Sequence, residues 1–499
     1  MPIRDFPPFH DLREFLRHLD AEGEVRRISQ PVDLVHDMAE IHRRVIAKDG
    51  PVLVFERPRA GDGRIVGMPA AVNLFGTRKR VAAGLGIRPE RLAELGEVLA
   101  DLREPQPVEG LRDAIARLPI LKAAMRTRAE VIDRAPAQQE VFLGKDASLE
   151  TLPVQTCWPG EAGPLITWGV VATRSPDSAS VAGYNLGIYR MQVLAPDRLI
   201  MRWLHHRGGA KHHAQWAAQG KDTPVAIAIG ADPATMLTAV LPLPESLSEI
   251  RFSGLLRGAR PRLAKARTVP LLVPADSEIV IEGYVSATET APEGPFGDHT
   301  GYYNAVEPFP VMRVTAITMR RDPTYVSTFT GRAPDEPAVL GTTFNELFLP
   351  IAKRQFPEIV DVWLPPHACS YRMAIVSIRK RYPGHARRIM MGLWGMLPQF
   401  TYTKTIVVVD DDIDPKNWDD VAWAIATRAD ASRDLMVIDR TPIDYLDFAS
   451  PESGLGGKLG IDATNKIGTE THREWGEVLK ATPDLVARVD ALWPKLGIS

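Results

Sequence analysis

Leu12, Phe15, Leu16 and Leu19 recur at three- and four-residue spacing, with Asp11 placed to cap a first turn that carries Glu14. This predicts a short helix over 11–19, ended by Gly23. A second helix is predicted over 34–47, and a strand over Pro51–Phe55. Another strand starts at Arg64 and turns near Gly76, so the beginning of the chain reads as an α/β domain. A helical run from Leu111 to Met125 reads as a connection. From Ala137 to about Arg321 short β-rich runs dominate, at 165–172, 189–194, 199–204, 225–229, 278–285 and 311–319. That pattern predicts a barrel or sandwich. Leu340, Phe344, Leu347, Phe348 and Ile351 then form one stripe of a long helix opening at Asp335, which Pro350 should bend or end. Strand and helix alternate afterwards: strands over 372–378, 405–409 and 435–438, and a helix over 384–397. A further helix is expected to be capped by Asp414 with Pro415 in its first position, and Trp418, Val421, Ala422 and Ile425 turned inward. This is the signature of a C-terminal α/β domain.

The 499 residues exceed what one compact core organises, so two or three domains are expected. With 60 Lys plus Arg against 62 Asp plus Glu, the chain lacks the basic excess of a nucleic-acid binder. Cys157 and Cys369 alone make neither a disulfide framework nor a cysteine zinc site, which fits a reducing cytosol. The N-terminus lacks a signal-peptide core, and no apolar run approaches the roughly 18 residues that cross a bilayer. The expectation is a cytoplasmic protein, at most resting on a membrane.

Chemistry concentrates in Ala291–Tyr303, where Gly294, Pro295, Gly297 and Gly301 break regular structure. Glu293 and Asp298 sit five residues apart there, with Phe296 between them. Paired carboxylates beside an apolar ring suit proton transfer, because burial or a second negative charge raises a carboxyl pKa. Asn185, Gly187 and Arg190 form a second piece, the last a permanent cation suited to carboxylate or phosphate. A third runs Arg202-Trp-Leu-His-His-Arg-Gly-Gly209, and a fourth carries Glu245 and Glu249. Amide oxygen, imidazole and carboxylate together suit a hard cation such as manganese or magnesium, which bridges protein to phosphate. Arg64 and 78–80 read as a solvated helix start, and Asp410–Asp412 as a charged strand exit. Ser453–Gly460 matches neither a Walker loop nor a dinucleotide fingerprint, though Lys458 could reach a phosphate from such a glycine-rich loop.

Tyr184-Asn-Leu-Gly-Ile-Tyr-Arg190, Arg202-Trp-Leu-His-His-Arg-Gly-Gly209, Glu293-Gly-Pro-Phe-Gly-Asp-His-Thr-Gly-Tyr-Tyr303 and Pro442-Ile-Asp-Tyr-Leu-Asp-Phe448 resemble the UbiD family of prenylated-flavin decarboxylases, over nearly the whole chain. The resemblance implies an α+β multidomain fold. A central split β-barrel of the flavin-reductase type (111–330) is flanked by an N-terminal α/β domain (1–110) and a C-terminal α/β oligomerisation domain (359–499), with a linker helix over 331–358. It implies prenylated FMN, supplied by a flavin prenyltransferase, its phosphate held through manganese, or magnesium in its place, with potassium nearby. The ion ligands carried over are Asn185, His206 and Glu249, with His205 the alternative in register. Cofactor contacts fall on Ile188, Tyr189, Arg190, Arg202, Trp203, Leu204, Arg207, Gly208 and Lys458. The catalytic set is Arg190, Glu293 and Asp298, where relatives often carry Glu in the last position. Likeness to the ubiquinone-pathway branch implies non-oxidative decarboxylation of 4-hydroxy-3-polyprenylbenzoate to 2-polyprenylphenol by a homo-oligomer, hexameric in relatives, on the inner face of the cell membrane. On this reading Arg190 steadies the substrate carboxylate, and a closed apolar site keeps Asp298 protonated as the proton donor. The alternatives are a decarboxylase of another aromatic or unsaturated acid and a non-catalytic subunit holding a lipid intermediate. A glycosidase-like pair of carboxylates leaves Asn185, Arg190 and His206 unexplained.

Overall fold

The computed structural model describes residues 4–103, 128–178, 180–205, 207–241, 243, 248–396 and 398–497. The helix expected over Leu111–Met125, and the candidate residues His206 and Glu245, lie outside them.

Helix α1 (Leu12–Ala21) begins as its sequence demands: the Asp11 side chain accepts the Glu14 amide, and Leu12, Phe15, Leu16 and Leu19 are buried. Each such side chain contributes about 1.5–3 kcal/mol on leaving water. Helix α2 (Asp37–Ile46) follows, and the first sheet orders β1 (Val25–Ile28), β2 (Val52–Phe55) and β3 (Ala70–Val72). Its fourth strand is Tyr325–Val326, paired parallel to β3. One continuous core runs from Phe9 through the central sheet to Leu347. The N-terminal sheet is therefore not closed within residues 1–110. Of the basic residues near its helix start, Arg78 and Lys79 are exposed as expected but also ion-paired, and Arg80 is not solvated. Arg78 donates to Glu346, while Lys79 and the fully buried Arg80 both reach Glu24. Helix α3 (Leu92–Arg103) completes this part.

The central sheet is antiparallel and nine-stranded, curled into a half-barrel. Its strands are β4 (Glu140–Leu143), β5 (Leu165–Ile166), β6 (Val170–Arg174), β7 (Tyr184–Ile188), β8 (Met191–Ala195), β9 (Arg198–Met201), β10 (Thr223–Ile229), β11 (Ile279–Glu293) and β12 (Glu307–Met319). They run β7-β6-β10-β11-β12-β9-β8-β5, with β4 also on β12. All seven residues of β10 are buried, as expected for a strand covered on both faces. The β11–β12 register shifts at Glu282/Gly283, where a Cβ on Gly283 would stand 2.1 Å from the Arg313 carbonyl oxygen. That break bends the long strand, and β11 runs on to end at Glu293. Ala291–Glu293 are thus strand, not part of an irregular loop. Helices α4 (Gly208–Ala218) and α5 (Glu249–Arg257) both contact β7.

Helix α6 (Glu336–Gln355) is capped by Asp335, which accepts the Ala338 amide at 2.8 Å. Pro350 does not end it. The helix lies against α3, where Gly96 lets the backbones meet: an added Cβ would be 2.8 Å from the Leu347 carbonyl oxygen. The C-terminal sheet orders β13 (Ile359–Trp363), β14 (Met373–Ile378), β15 (Thr405–Asp410), β17 (Leu455–Ala463) and β16 (Leu435–Pro442). Alternation along β15 sends Ile406 and Val408 towards α7 (His385–Met396), and Val407 and Val409 towards α8 (Trp418–Arg428). Asn417, not Asp414, caps α8, because the Asp414 carboxylate is taken by the Lys416 amide. Trp418 faces solvent, with Val421 and Ala424 turned inward. Arg428 grips Asp410 and Asp412 at 2.8–2.9 Å, so Asp410 is buried in an ion pair, while Asp411 and Asp412 stay exposed at the strand exit as expected. The glycine-rich Ser453–Gly460 is mostly strand β17, not a phosphate loop. The last helix, α9 (Pro483–Leu496), buries none of its residues.

Candidate active site

Arg190 lies between β7 and β8, and its guanidinium spans two carboxylates. Nε donates to Glu293 Oε1 at 3.0 Å, Nη2 to Glu293 Oε2 at 3.3 Å, and Nη1 to Asp298 Oδ2 at 2.7 Å. Its carbon sits 5.6 Å from the centre of the buried Phe296 ring. The three residues predicted from sequence to act together do meet. Glu293 is fully buried at the end of β11 and takes a second guanidinium, Nη1 of Arg202. Asn304 Nδ2 adds a donor at 3.3 Å, while its Oδ1 accepts the Phe296 amide and so ties down the loop. Arg202 Nη2 donates to the hydroxyl of Tyr445 at 2.5 Å, which brings the C-terminal lobe onto the same network.

Asp298 departs from expectation. Burial alone would raise its pKa, but the His299 hydrogen bond and the Arg190 charge prevail and hold the carboxyl well below its usual range. Here it is an ion-paired carboxylate rather than a protonated acid, because the expected apolar enclosure also contains a guanidinium and an imidazole. His299 is displaced the other way. Burial opposes its charged form, yet the hydrogen bond to Asp298 and the charges of Asp298 and Asp444 raise it. Glu161 fixes the far side of the loop, accepting the Cys157 amide at 2.6 Å and the Gly297 amide at 3.2 Å. Its own pKa is raised, mainly by burial. Gly297 has no room for a side chain, since a Cβ would stand 2.3 Å from the Trp158 ring.

Beside this network, β7 and the starts of α4 and α5 form a second cluster. Asn185 Nδ2 lies 3.4 Å from the Tyr189 hydroxyl, which also accepts the Gly209 amide at 3.0 Å. A Cβ on Gly208 would fall 2.0 Å from Asn185 Oδ1, so a larger residue there would push the Asn185 amide aside. Glu249 opens α5 next to β7. Burial pushes it up to about 7, offset only by the backbone amides of Glu249 and Leu186. The structure therefore sets two of the three predicted ion ligands on neighbouring elements. The third, His206, lies outside the described residues, and among those described no three His, Cys, Asp or Glu cluster. An amide oxygen and a carboxylate that no cation among the described residues pairs with suit a divalent cation. Trp203 is buried with its Nε1 unpartnered, and Leu204 and Ile188 are half-buried alongside. The exposed Arg207 precedes the first turn of α4, whose amides favour an anion. An orphaned indole donor, a glycine cradle and a helix start fit a flat, phosphorylated cofactor.

Lys458 is not brought here. Its Nζ donates to the carbonyls of Thr401, Thr403 and Pro442 at 2.5–3.2 Å within the C-terminal lobe. Burial lowers its pKa to about 8. Conversely, Glu161, His299, Asn304, Asp444 and Tyr445 were given no role from sequence. His299 adjoins Asp298, and Asp444 and Tyr445 lie in Pro442–Phe448, but nothing in spacing shows that this segment crosses to the loop.

Three family models match consecutive parts of the chain. They are the 3-octaprenyl-4-hydroxybenzoate carboxy-lyase N-terminal domain over 16–99, its Rift-related domain over 129–333 and its C-terminal domain over 338–463. The UbiD-class enzyme HmfF from Pelotomaculum thermopropionicum, solved in complex with FMN, is 30% identical with a TM-score of 0.77, covering 96% of this chain and 98% of that one. The chain belongs to the UbiD family. A second UbiD relative in structure, the vanillic acid decarboxylase of Sedimentibacter hydroxybenzoicus in closed form, is 26% identical with a TM-score of 0.82, covering 98% and 99%. The UbiD family consists of prenylated-FMN-dependent carboxy-lyases, and Arg190, Glu293 and Asp298 stand in its Rift-related domain in this chain.

Proposed function

We propose that this chain decarboxylates 4-hydroxy-3-polyprenylbenzoate to 2-polyprenylphenol in ubiquinone biosynthesis, using prenylated FMN and a divalent cation. The observation that carries the reading is the Arg190 guanidinium held between Glu293 and Asp298 at 3.0 and 2.7 Å. Ile188, Tyr189, Arg190, Arg202, Trp203, Leu204, Arg207 and Gly208 are the residues to hold the flavin, and Asn185, Glu249 and His206 the ion, manganese or magnesium, with potassium as a second ion. When bound, the prenylated flavin supplies an electron sink for the pair left behind by CO₂.

The chain's own residues do the rest. A substrate carboxylate entering beside Arg190 shares its guanidinium with Asp298. A second negative charge and a diluted counter-charge both raise the Asp298 pKa, so the acid form becomes available when substrate is in place. Glu293, clamped by Arg190 and Arg202, keeps the guanidinium in register. Asp298 then supplies the proton that replaces CO₂.

A flavin prenyltransferase is the supplier of the cofactor. The curled sheet is read as a split barrel of the flavin-reductase type, and α6 as the arm linking it to the C-terminal lobe. Leu485, Val489, Leu492 and Trp493 lie exposed along α9, which suits burial against further subunits of a homo-oligomer. No helix among the described residues is long and apolar enough to cross a membrane. A polyprenyl substrate partitions into lipid, so the enzyme is proposed to work peripherally at the cytoplasmic face. A smaller phenolic acid is the second reading, favoured by the likeness to vanillic acid decarboxylase.

The test is co-expression with a flavin prenyltransferase, an absorption spectrum, and CO₂ release from prenylated 4-hydroxybenzoate and from vanillate. Release from the first supports the proposed substrate. Release from vanillate alone moves the assignment to the second reading, and release from neither removes both.

A further inference from the structure

Loss of CO₂ from a carboxylate consumes one proton per turnover, so the group that delivers it must be reloaded every cycle. Asp298 is poorly placed to reload itself. Arg190 holds it as the anion, and only 14% of its side chain reaches solvent. Its Oδ1 instead faces His299, whose backbone amide and Nδ1 both lie at 2.8 Å. The other ring nitrogen, Nε2, is buried with no hydrogen-bond partner and stands 3.7 Å from Asp444 Oδ2. Asp444 comes from the C-terminal lobe, just past β16, and accepts the Tyr371 hydroxyl at 2.7 Å. Arg372 lies 3.3 Å from the same oxygen, and the Tyr371 ring is 6.0 Å from the imidazole. Among the described residues Asp335, Arg190 beyond Asp298, and Arg207 beyond Tyr371 are further charges nearby. Two carboxylates, Asp298 and Asp444, flank the ring directly, with Arg372 the guanidinium that chiefly opposes them, and the balance favours imidazolium.

We propose that His299, backed by Asp444, is the residue that returns a proton to Asp298 after each turnover. This rests on the decarboxylase reading above. The Nδ1–H bond of the imidazolium breaks, its electron pair stays on Nδ1, and an O–H bond forms at Asp298 Oδ1. The remaining Nε2–H points towards Asp444, which holds the ring in place. Once Asp298 has given up its proton, the neutral ring takes one back at Nδ1 from solvent hydronium, while the buried Nε2 keeps its own. His299 acts through Asp298 and not on the substrate. Because Asp444 belongs to the C-terminal lobe, reloading requires that lobe to be seated on the loop.

Two measurements test this. In the cofactor-free protein, an NMR titration follows the His299 ring, assigned by its loss in His299→Asn. Asp444→Asn is expected to lower its pKa by about one unit or more. An unchanged value overturns the proposal. In the holoenzyme, kcat on prenylated 4-hydroxybenzoate or vanillate is expected to fall on the alkaline side as the imidazolium is lost. His299→Asn should remove that limb and lower kcat about tenfold or more, with KM within about twofold. A variant that keeps both kcat and the alkaline limb overturns it. If the wild-type holoenzyme releases CO₂ from neither acid, the decarboxylase reading fails, and the titration alone decides whether His299 is coupled to Asp444.

Discussion

Arg190 commits three donor nitrogens to Glu293 and Asp298, a geometry that only a planar fork can provide. Lysine at this position reaches one carboxylate and leaves the other to its remaining charged partner alone, Arg202 for Glu293 or His299 for Asp298. Arg190→Lys is therefore expected to lower kcat/KM by about two orders of magnitude, measured as CO₂ release, while the flavin absorption persists. Asp298→Asn should keep flavin binding and abolish turnover, and full activity in that variant would remove Asp298 as proton donor. The Asp298–His299 pair also makes a stability prediction. Asp298 is held below its usual range, so its contribution is present above that range and is lost as pH falls through the lowered value. His299 is raised, so its contribution is present below its usual value and is lost as pH rises through the raised one. The difference in urea stability between wild type and His299→Asn should peak between these limits and shrink on both sides. At this scale the carboxylates and the arginine were legible from sequence, because their residue types announce their chemistry. The ionisation state of Asp298 was not, since it depends on which charges the fold sets against it.

Helix α6 shows how an element carries a cost at its own cap. Asp335 accepts the Gly331 and Ala338 amides, yet burial pushes its carboxyl up to about 6. The folded state binds that proton more tightly than the unfolded one, so the stability Asp335 contributes falls as pH rises from about 4 through 6. The full difference is about 3 kcal/mol, from a displacement of roughly two pH units. Asparagine keeps one cap acceptor and does not titrate. Relative to Asp335→Asn, wild type should lose stability across that range, as chemical denaturation at a series of pH values will show. Where α6 meets α3, helix propensity favours alanine over Gly96 by about 1 kcal/mol, but the Leu347 carbonyl oxygen stands 2.8 Å from the added carbon. Overpacking of about 1–3 kcal/mol prevails for Gly96→Val, seen as a lower urea midpoint. Element types were largely readable, because periods of 2 and 3.6 are local properties. Caps and ends were less so. Asn417 displaced Asp414 as the α8 cap because the Lys416 amide takes the Asp414 carboxylate, and β11 ran on to Glu293 through its pairing with β12, which lies outside any local window.

At the scale of the molecule, the order of an α/β part, a β-rich centre and a second α/β part followed from the pattern alone. Two long-range connections did not: Tyr445 reaching Arg202 from the C-terminal lobe, and Tyr325–Val326 completing the first sheet. Both join segments whose pairing leaves no periodic trace. The second connection predicts that residues 1–103 expressed alone show no cooperative unfolding transition by circular dichroism, because their sheet lacks a strand and their core lacks a wall. It also sets a timetable for birth on the ribosome. About 250 residues separate β3 from its missing neighbour, so at ordinary translation speeds the nascent sheet keeps one bare edge for roughly 10–50 s. Throughout that interval the emerging polypeptide offers a template to any stray strand, and a chaperone able to shield it would raise the yield of native enzyme.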